Sequence, residues 1–218
     1  MSGVNPIERL LGAILGDQSR FGQLLIRGTS SGGFVLCHRD DQNAATLQVF
    51  RSAEDAIEIA RYDEAGNYRP LKTAPDLRRG WQLEVVDLSE LRRALDYFYP
   101  GRLAALVAWE RKRLTTTPLR DTLDRQSGMY RVAAKISDQQ IDDVVANTCR
   151  SDGSCLRTIL WKRDKTGAIS STKLPSEKFE PAHDQTGRGE KTIPLLCQEA
   201  CAVLLNECRR AVKGETEE

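Results

Sequence analysis

The placement of the six cysteines constrains this chain more than any other feature. Cys37 stands alone. The other five all lie at or beyond Cys149: Cys149 and Cys155 with five residues between them, Cys197 and Cys201 with three, then Cys208. Any fold of the second half must either bring the two pairs together or keep them apart. Residues 197–213 read as a helix, which puts Cys197 and Cys201 on one face, ~6 Å apart along the axis. Cys149 continues the apolar stripe Ile141, Val145 of a second predicted helix. The small, turn-prone run Arg150-Ser151-Asp152-Gly153-Ser154 lets Cys155 return to the same point. Two pairs converging from two segments make a four-thiolate site of Cys149, Cys155, Cys197 and Cys201.

Other readings of the same residues stay open. Reduced cysteines are common in ordinary cores. Disulfides are disfavoured in a reducing compartment. A structural zinc prefers C-x₂₋₄-C pairs on knuckle turns, which the wider first pair and a helix-face second pair do not match. An iron–sulfur cluster tolerates wider loops because it is larger than one ion. Cys208 lies roughly 10.5 Å beyond Cys201 along a helix and reads as core. Cys37, beside His38 in a predicted strand, reads as packing.

The chain has 218 residues, 29% charged and 40% hydrophobic, which are globular values and enough for one large or two small domains. Thirty-two basic against 31 acidic side chains give a net charge of +1, so no field points to nucleic acid or an anionic membrane. No apolar run approaches the roughly 18 residues of a membrane helix. The start, MSGVNPIERLLGAILGD, has Glu8 before its apolar stretch and no basic flank, unlike a secretory signal. A cytoplasmic location is the expectation; oligomeric state is not readable. No P-loop, GxGxxG or nucleophile elbow is present, and Gly187-Arg188-Gly189 is a loop fragment, so the sequence leans against an enzyme in its own right.

The hydropathy pattern predicts an α+β chain. A short amphipathic helix runs to about Asp17. A hairpin joins Gln23–Arg27 to Phe34–His38, and Thr46–Phe50 is a third strand. Ser52-Ala53-Glu54-Asp55 resembles a capping box that opens a helix through Ala60. Trp81–Val86 is a strand, a helix capped by Asp87 or Ser89 follows, and Pro100-Gly101 breaks it before a helix over Arg102–Leu114. Thr117-Pro118 starts a short helix. Tyr130–Ala134 reads as a strand, Ser137-Asp138-Gln139-Gln140 as a capping box, Leu156–Trp161 as a strand and Asp164–Thr192 as a long polar loop. The expected organisation is an N-terminal helix over 1–19, an α+β domain over 20–127 and a small α+β domain over 128–218.

The segments TLDRQSGMYRV, NTCRSDGSCLRTILW and IPLLCQEACAVLL resemble the multidomain CbiX-type family, which is sirohydrochlorin cobaltochelatase-like. HRDD at His38–Asp41 and ARYDEAGNYRPLKTAPDLRRGW at Ala60–Trp81 resemble that family's stabilising domain. The resemblance covers roughly residues 20–213. It implies that 20–127 is a stabilising-type domain and 128–218 a [4Fe-4S] cluster-binding domain, with Cys149, Cys155, Cys197 and Cys201 as ligands. It also implies an accessory or electron-transfer role in cobalamin or sirohaem synthesis. The family's chelatase core has no counterpart here, and His38 and His183 lack its histidine context, so a separate CbiX-type chelatase or a redox partner is expected. A zinc-stabilised adaptor without redox role is the alternative.

Overall fold

The computed structural model describes residues 5–63, 65–69, 77–149, 157–159, 161–162, 182–183, 191–197 and 199–214. The chain divides into two compact units. The first is Met1–Arg113 with Ser176–Leu195, the second Leu114–Pro175 with Leu196–Glu218. The fold is α+β, as the sequence implies.

The first unit opens with α1 (Pro6–Ile14), started by Asn5, whose Oδ1 accepts the Ile7 N–H at 2.9 Å, and by a proline at its first position. Strands β1 (Gln18–Phe21), β2 (Leu24–Gly28) and β3 (Phe34–His38) form an antiparallel meander. Then come β4 (Gln48–Phe50), α2 (Asp55–Arg61), β5 (Trp81–Val85), α3 (Leu88–Phe98) and α4 (Arg102–Glu110). At the head of α3, Asp87 Oδ1 accepts the Glu90 N–H at 2.8 Å while Glu90 Oε2 accepts the Val86 N–H at 3.1 Å, a reciprocal cap.

The sheet these strands build also takes two short segments from much later in the sequence, and those extend its far edge as described below. Its core is dense. Trp81 stacks on Phe98 at 5.2 Å, and Phe21 meets Tyr99 edge-on at 5.4 Å. Each such buried side chain contributes roughly 1.5–3 kcal/mol. The turn between β1 and β2 admits only glycine: at Gly22 φ is +63° and a Cβ would sit 2.7 Å from the Tyr99 hydroxyl. That hydroxyl accepts the Gln23 N–H at 2.9 Å.

The second unit holds β6 (Thr117–Pro118), α5 (Leu119–Asp124), α6 (Tyr130–Lys135), α7 (Asp138–Cys149), β7 (Arg157–Ile159) and β8 (Trp161–Lys162). After β9 (Ala182–His183) and β10 (Lys191–Ile193) come β11 (Leu195–Cys197) and α8 (Ala202–Lys213). β11 pairs with β7, and β6 runs parallel to β8. β9 and β10 belong to the first unit, where the order among the described residues is β4-β5-β3-β2-β1-β10-β9. β10 lies parallel to β1, with Phe21 opposite Ile193.

Three expectations change. Tyr130–Ala134 is helical, because Met129, Ala133 and Ile136 bury at helical spacing and a five-residue run is too short for its alternation to decide. Gln18–Phe21 is a strand that the sequence pattern did not show. The predicted polar loop over 164–192 contributes β9 and most of β10; its other residues lie outside those described.

Candidate metal centre

The second unit is organised by the pairing of α7 with α8. α7 starts on the predicted capping box: Ser137 Oγ accepts the Gln140 N–H at 3.2 Å and Gln140 Oε1 accepts the Ser137 N–H at 2.9 Å. The same glutamine uses its other amide atom across the helix pair. Its Nε2 donates to the Ala211 carbonyl near the end of α8 at 2.6 Å. The two helices touch along their lengths, and the start of one lies against the end of the other, so they run antiparallel. Nine residues on from Gln140 is Cys149. Nine residues back from Ala211 is Ala202, next to Cys201. Equal rise per residue therefore brings Cys149 and Cys201 to the same end of the pair.

Arg120 fixes the other end. Its Nη1 donates to the carbonyls of Ala133, at 3.2 Å, and Ile136, and its Nη2 donates to Asp138 Oδ1 at 2.6 Å, tying the end of α6 to the start of α7. Sequence reasoning passed over both braces. The capping box gave the glutamine's place but not its second bond, and nothing local marked the arginine.

Cys197 is buried as the last residue of β11, and its thiol donates to the Glu199 carbonyl at 3.3 Å. Cys201 is half-buried and is the N-cap of α8, with no side-chain capping bond. This corrects the helix expected over 197–213. The run Leu195-Leu196-Cys197 is apolar and wholly buried, which suits a strand, and the helix begins only at Ala202. The second cysteine pair thus flanks a turn instead of sharing a helix face. That removes the helix-face reason for setting zinc aside; the wide spacing of the first pair remains.

Cys149, Cys197 and Cys208 are buried in one apolar cluster with Leu119, Leu123, Met129, Ile141, Val145 and Leu204, and Cys201 packs against it. Cys155 lies outside the described residues. Among the described residues no group of three or more His, Cys, Asp or Glu side chains is gathered closely enough to hold a metal ion, and none of the described cysteines is in a disulfide. The donor chemistry nevertheless suits a cluster: the described candidates are all thiols, two are buried in apolar surroundings, and one sits at a helix N-terminus whose unpaired N–H groups favour negative charge.

Cys208 behaves differently. Burial pushes its thiol up to about 12, with the charges of Glu207 and Cys201 adding to the effect, so it stays protonated at neutral pH. Its side chain is fully buried in the apolar cluster. Cys37 is buried in β3, and burial raises its thiol too. His38 is fully buried; its Nδ1 accepts the Asp40 N–H at 3.2 Å, and burial lowers its pKa, so it is a neutral core residue. His183 contributes to β9, paired with Lys191.

The comparisons with known proteins change over near Arg113, where the long segment of the first unit ends. Residues 11–113 match the family model of the DR2241 stabilising domain, and residues 111–210 that of a 4Fe-4S iron-sulfur cluster binding domain. The chain thus carries, one after the other, segments that match those two kinds of domain. Among solved structures it resembles DR2241 from Deinococcus radiodurans, with a TM-score of 0.69 and 30% identity over 96% of this chain. That protein is described as a multi-domain protein with structural similarity to chelatases and two additional novel domains. The chain spans 41% of its length. No curated protein matches the sequence. Cys149, Cys155, Cys197 and Cys201 all fall within the matched cluster-binding domain.

Proposed function

We propose that this chain is an iron–sulfur accessory or electron-transfer protein that works with a tetrapyrrole chelatase of cobalamin or sirohaem synthesis. In this reading Cys149, Cys155, Cys197 and Cys201 hold one [4Fe-4S] cluster. The observation that carries it is the antiparallel pairing that brings Cys149 and Cys201 to one end of α7 and α8, inside the segment matching a cluster-binding domain. When bound, such a cluster stores or passes a single electron.

The chain's own residues set the conditions. Cys201 stands at the N-terminus of α8, where the first N–H groups of the helix point toward that end of the pair. Leu204, Val145 and Ile141 form apolar walls that keep water from the thiols, and both effects tune a potential. Gln140 ties the start of α7 to the end of α8, and Arg120 ties that start to the end of α6. Metal insertion into a macrocycle needs a base for the pyrrole protons. His38 is neutral but sealed in the core, so in this reading the base belongs to a partner.

The test is to incubate anaerobically purified holo-protein with sirohydrochlorin and cobalt and follow the macrocycle's absorbance. Insertion is expected only when a chelatase is added. Insertion by this chain alone, abolished in His38→Ala or His183→Ala, would make it a chelatase and overturn the accessory role.

A further inference from the structure

The segment ARYDEAGNYRPLKTAPDLRRGW, which stands out in the sequence of the first unit, supplies the described lining of a cavity of about 520 Å³. Tyr62, Asp63, Gly66, Arg78 and Arg79 line it. Tyr62 bridges to Tyr68 and Asp63 to Leu77, and Asp41 Oδ2 accepts the Gly80 N–H at 2.7 Å. Trp81 Nε1 donates to the Arg78 carbonyl at 2.7 Å, which fixes the backbone that carries both arginines.

The charges of the cavity do not cancel. Asp63 accepts the Asn67 N–H at 2.8 Å and its Nδ2 at 3.3 Å, so its carboxylate is engaged within its own turn. Arg79 pairs with Asp40 at 3.1 Å. Arg78 has no carboxylate partner among the described residues; its guanidinium lies 6.0 Å from the Phe50 ring, and its buried Nε makes no hydrogen bond. Arg78 is partly buried, and its planar guanidinium fork matches an oxyanion. The volume is that of a small-molecule site.

We propose that this cavity binds a small molecule through an oxyanion, a carboxylate or a phosphate, with Arg78 as the principal contact and Arg79 positioned beside it by Asp40. The site is independent of the cysteines and of the cluster reading. It gives the loop between α2 and β5 a reason for its paired arginines that packing alone does not supply.

The test uses the full chain labelled with ¹⁵N and titrated at constant ionic strength with citrate and, separately, with inorganic phosphate. Saturable amide shifts are expected at Tyr62, Gly66, Arg79 and Gly80, and the tighter probe names the oxyanion. Arg78→Gln is expected to weaken binding about tenfold or more. Arg78→Lys, which keeps the charge and loses the fork, should bind between the two and guards against misfolding. Arg51→Gln, at an exposed arginine paired with Glu84 at 3.4 Å, should bind as the unaltered chain does. Shifts that rise linearly without saturation for both probes, or equal affinity in the Arg78 and Arg51 variants, would overturn the proposal.

Discussion

The two units solve the problem of stability differently. The first buries large side chains on a broad sheet: Trp81, Tyr99, Phe98, Phe21 and a run of leucines, with a buried arginine, Arg69, stacked over Tyr99 at 5.8 Å. The second, among its described residues, has a core with one methionine and no aromatic ring, in which three of the buried members are cysteines. A core that small gives little margin over chain entropy, and small domains of this kind commonly depend on a metal centre. The same α+β grammar thus rests on a large aromatic core in one unit and, among the described residues, on a small core rich in thiols in the other.

The largest expected effect breaks that comparison directly. Cys201→Ser should lose the iron and collapse the amide-exchange protection of α7 and α8 by orders of magnitude, while β2, β3 and β5 keep theirs. Equal loss of protection in both units would show that the first depends on the centre as well. Cys208→Ser is the contrast: it should retain the iron, since its thiol is core. Iron loss equal to that of the Cys201 variant would put Cys208 in the ligand set.

Next in size is the brace. Gln140→Ala removes a capping bond and the bond to Ala211, and should destabilise the second unit by roughly 1–3 kcal/mol. Denaturant unfolding followed by the cluster's visible absorbance measures it. No change would mean that the antiparallel register is held by packing alone.

The smallest effect concerns the first unit and pH. His38 has a folded pKa below its ordinary 6.5 because of burial, opposed by Asp40 and Asp41 and aided by Arg79 and Arg39. As pH falls below 6.5 the unfolded chain takes up the proton first, so stability drops until the folded pKa is passed. His38→Gln should flatten that slope in thermal melts, whereas an unchanged slope would place the titrating group elsewhere.

Much of this was legible in the sequence where local chemistry decides it. The capping box at Ser137, the cap at Asp87 and the hairpin ending at His38 all form where their side chains predict, because each bond lies within a few residues. Distant pairings were not legible. β10 joins β1 across most of the chain, and nothing near Lys191–Ile193 announces that partner. Cys197 and Cys201 show the limit most clearly. Their spacing suits a helix face, but the buried run before Cys197 is equally a strand, and only the packed structure separates the two. What sets Cys149 and Cys201 at one end of the helix pair is a glutamine that reaches across two helices, a contact no local pattern announces.

The most direct test of the central claim is the composition of the centre itself: iron, acid-labile sulfide and zinc per chain, with the visible spectrum, in protein purified anaerobically. The expected result is a brown protein with about four irons and four sulfides per chain. A colourless protein that carries one zinc and no sulfide, and that stays so after anaerobic reconstitution with iron and sulfide, would contradict it.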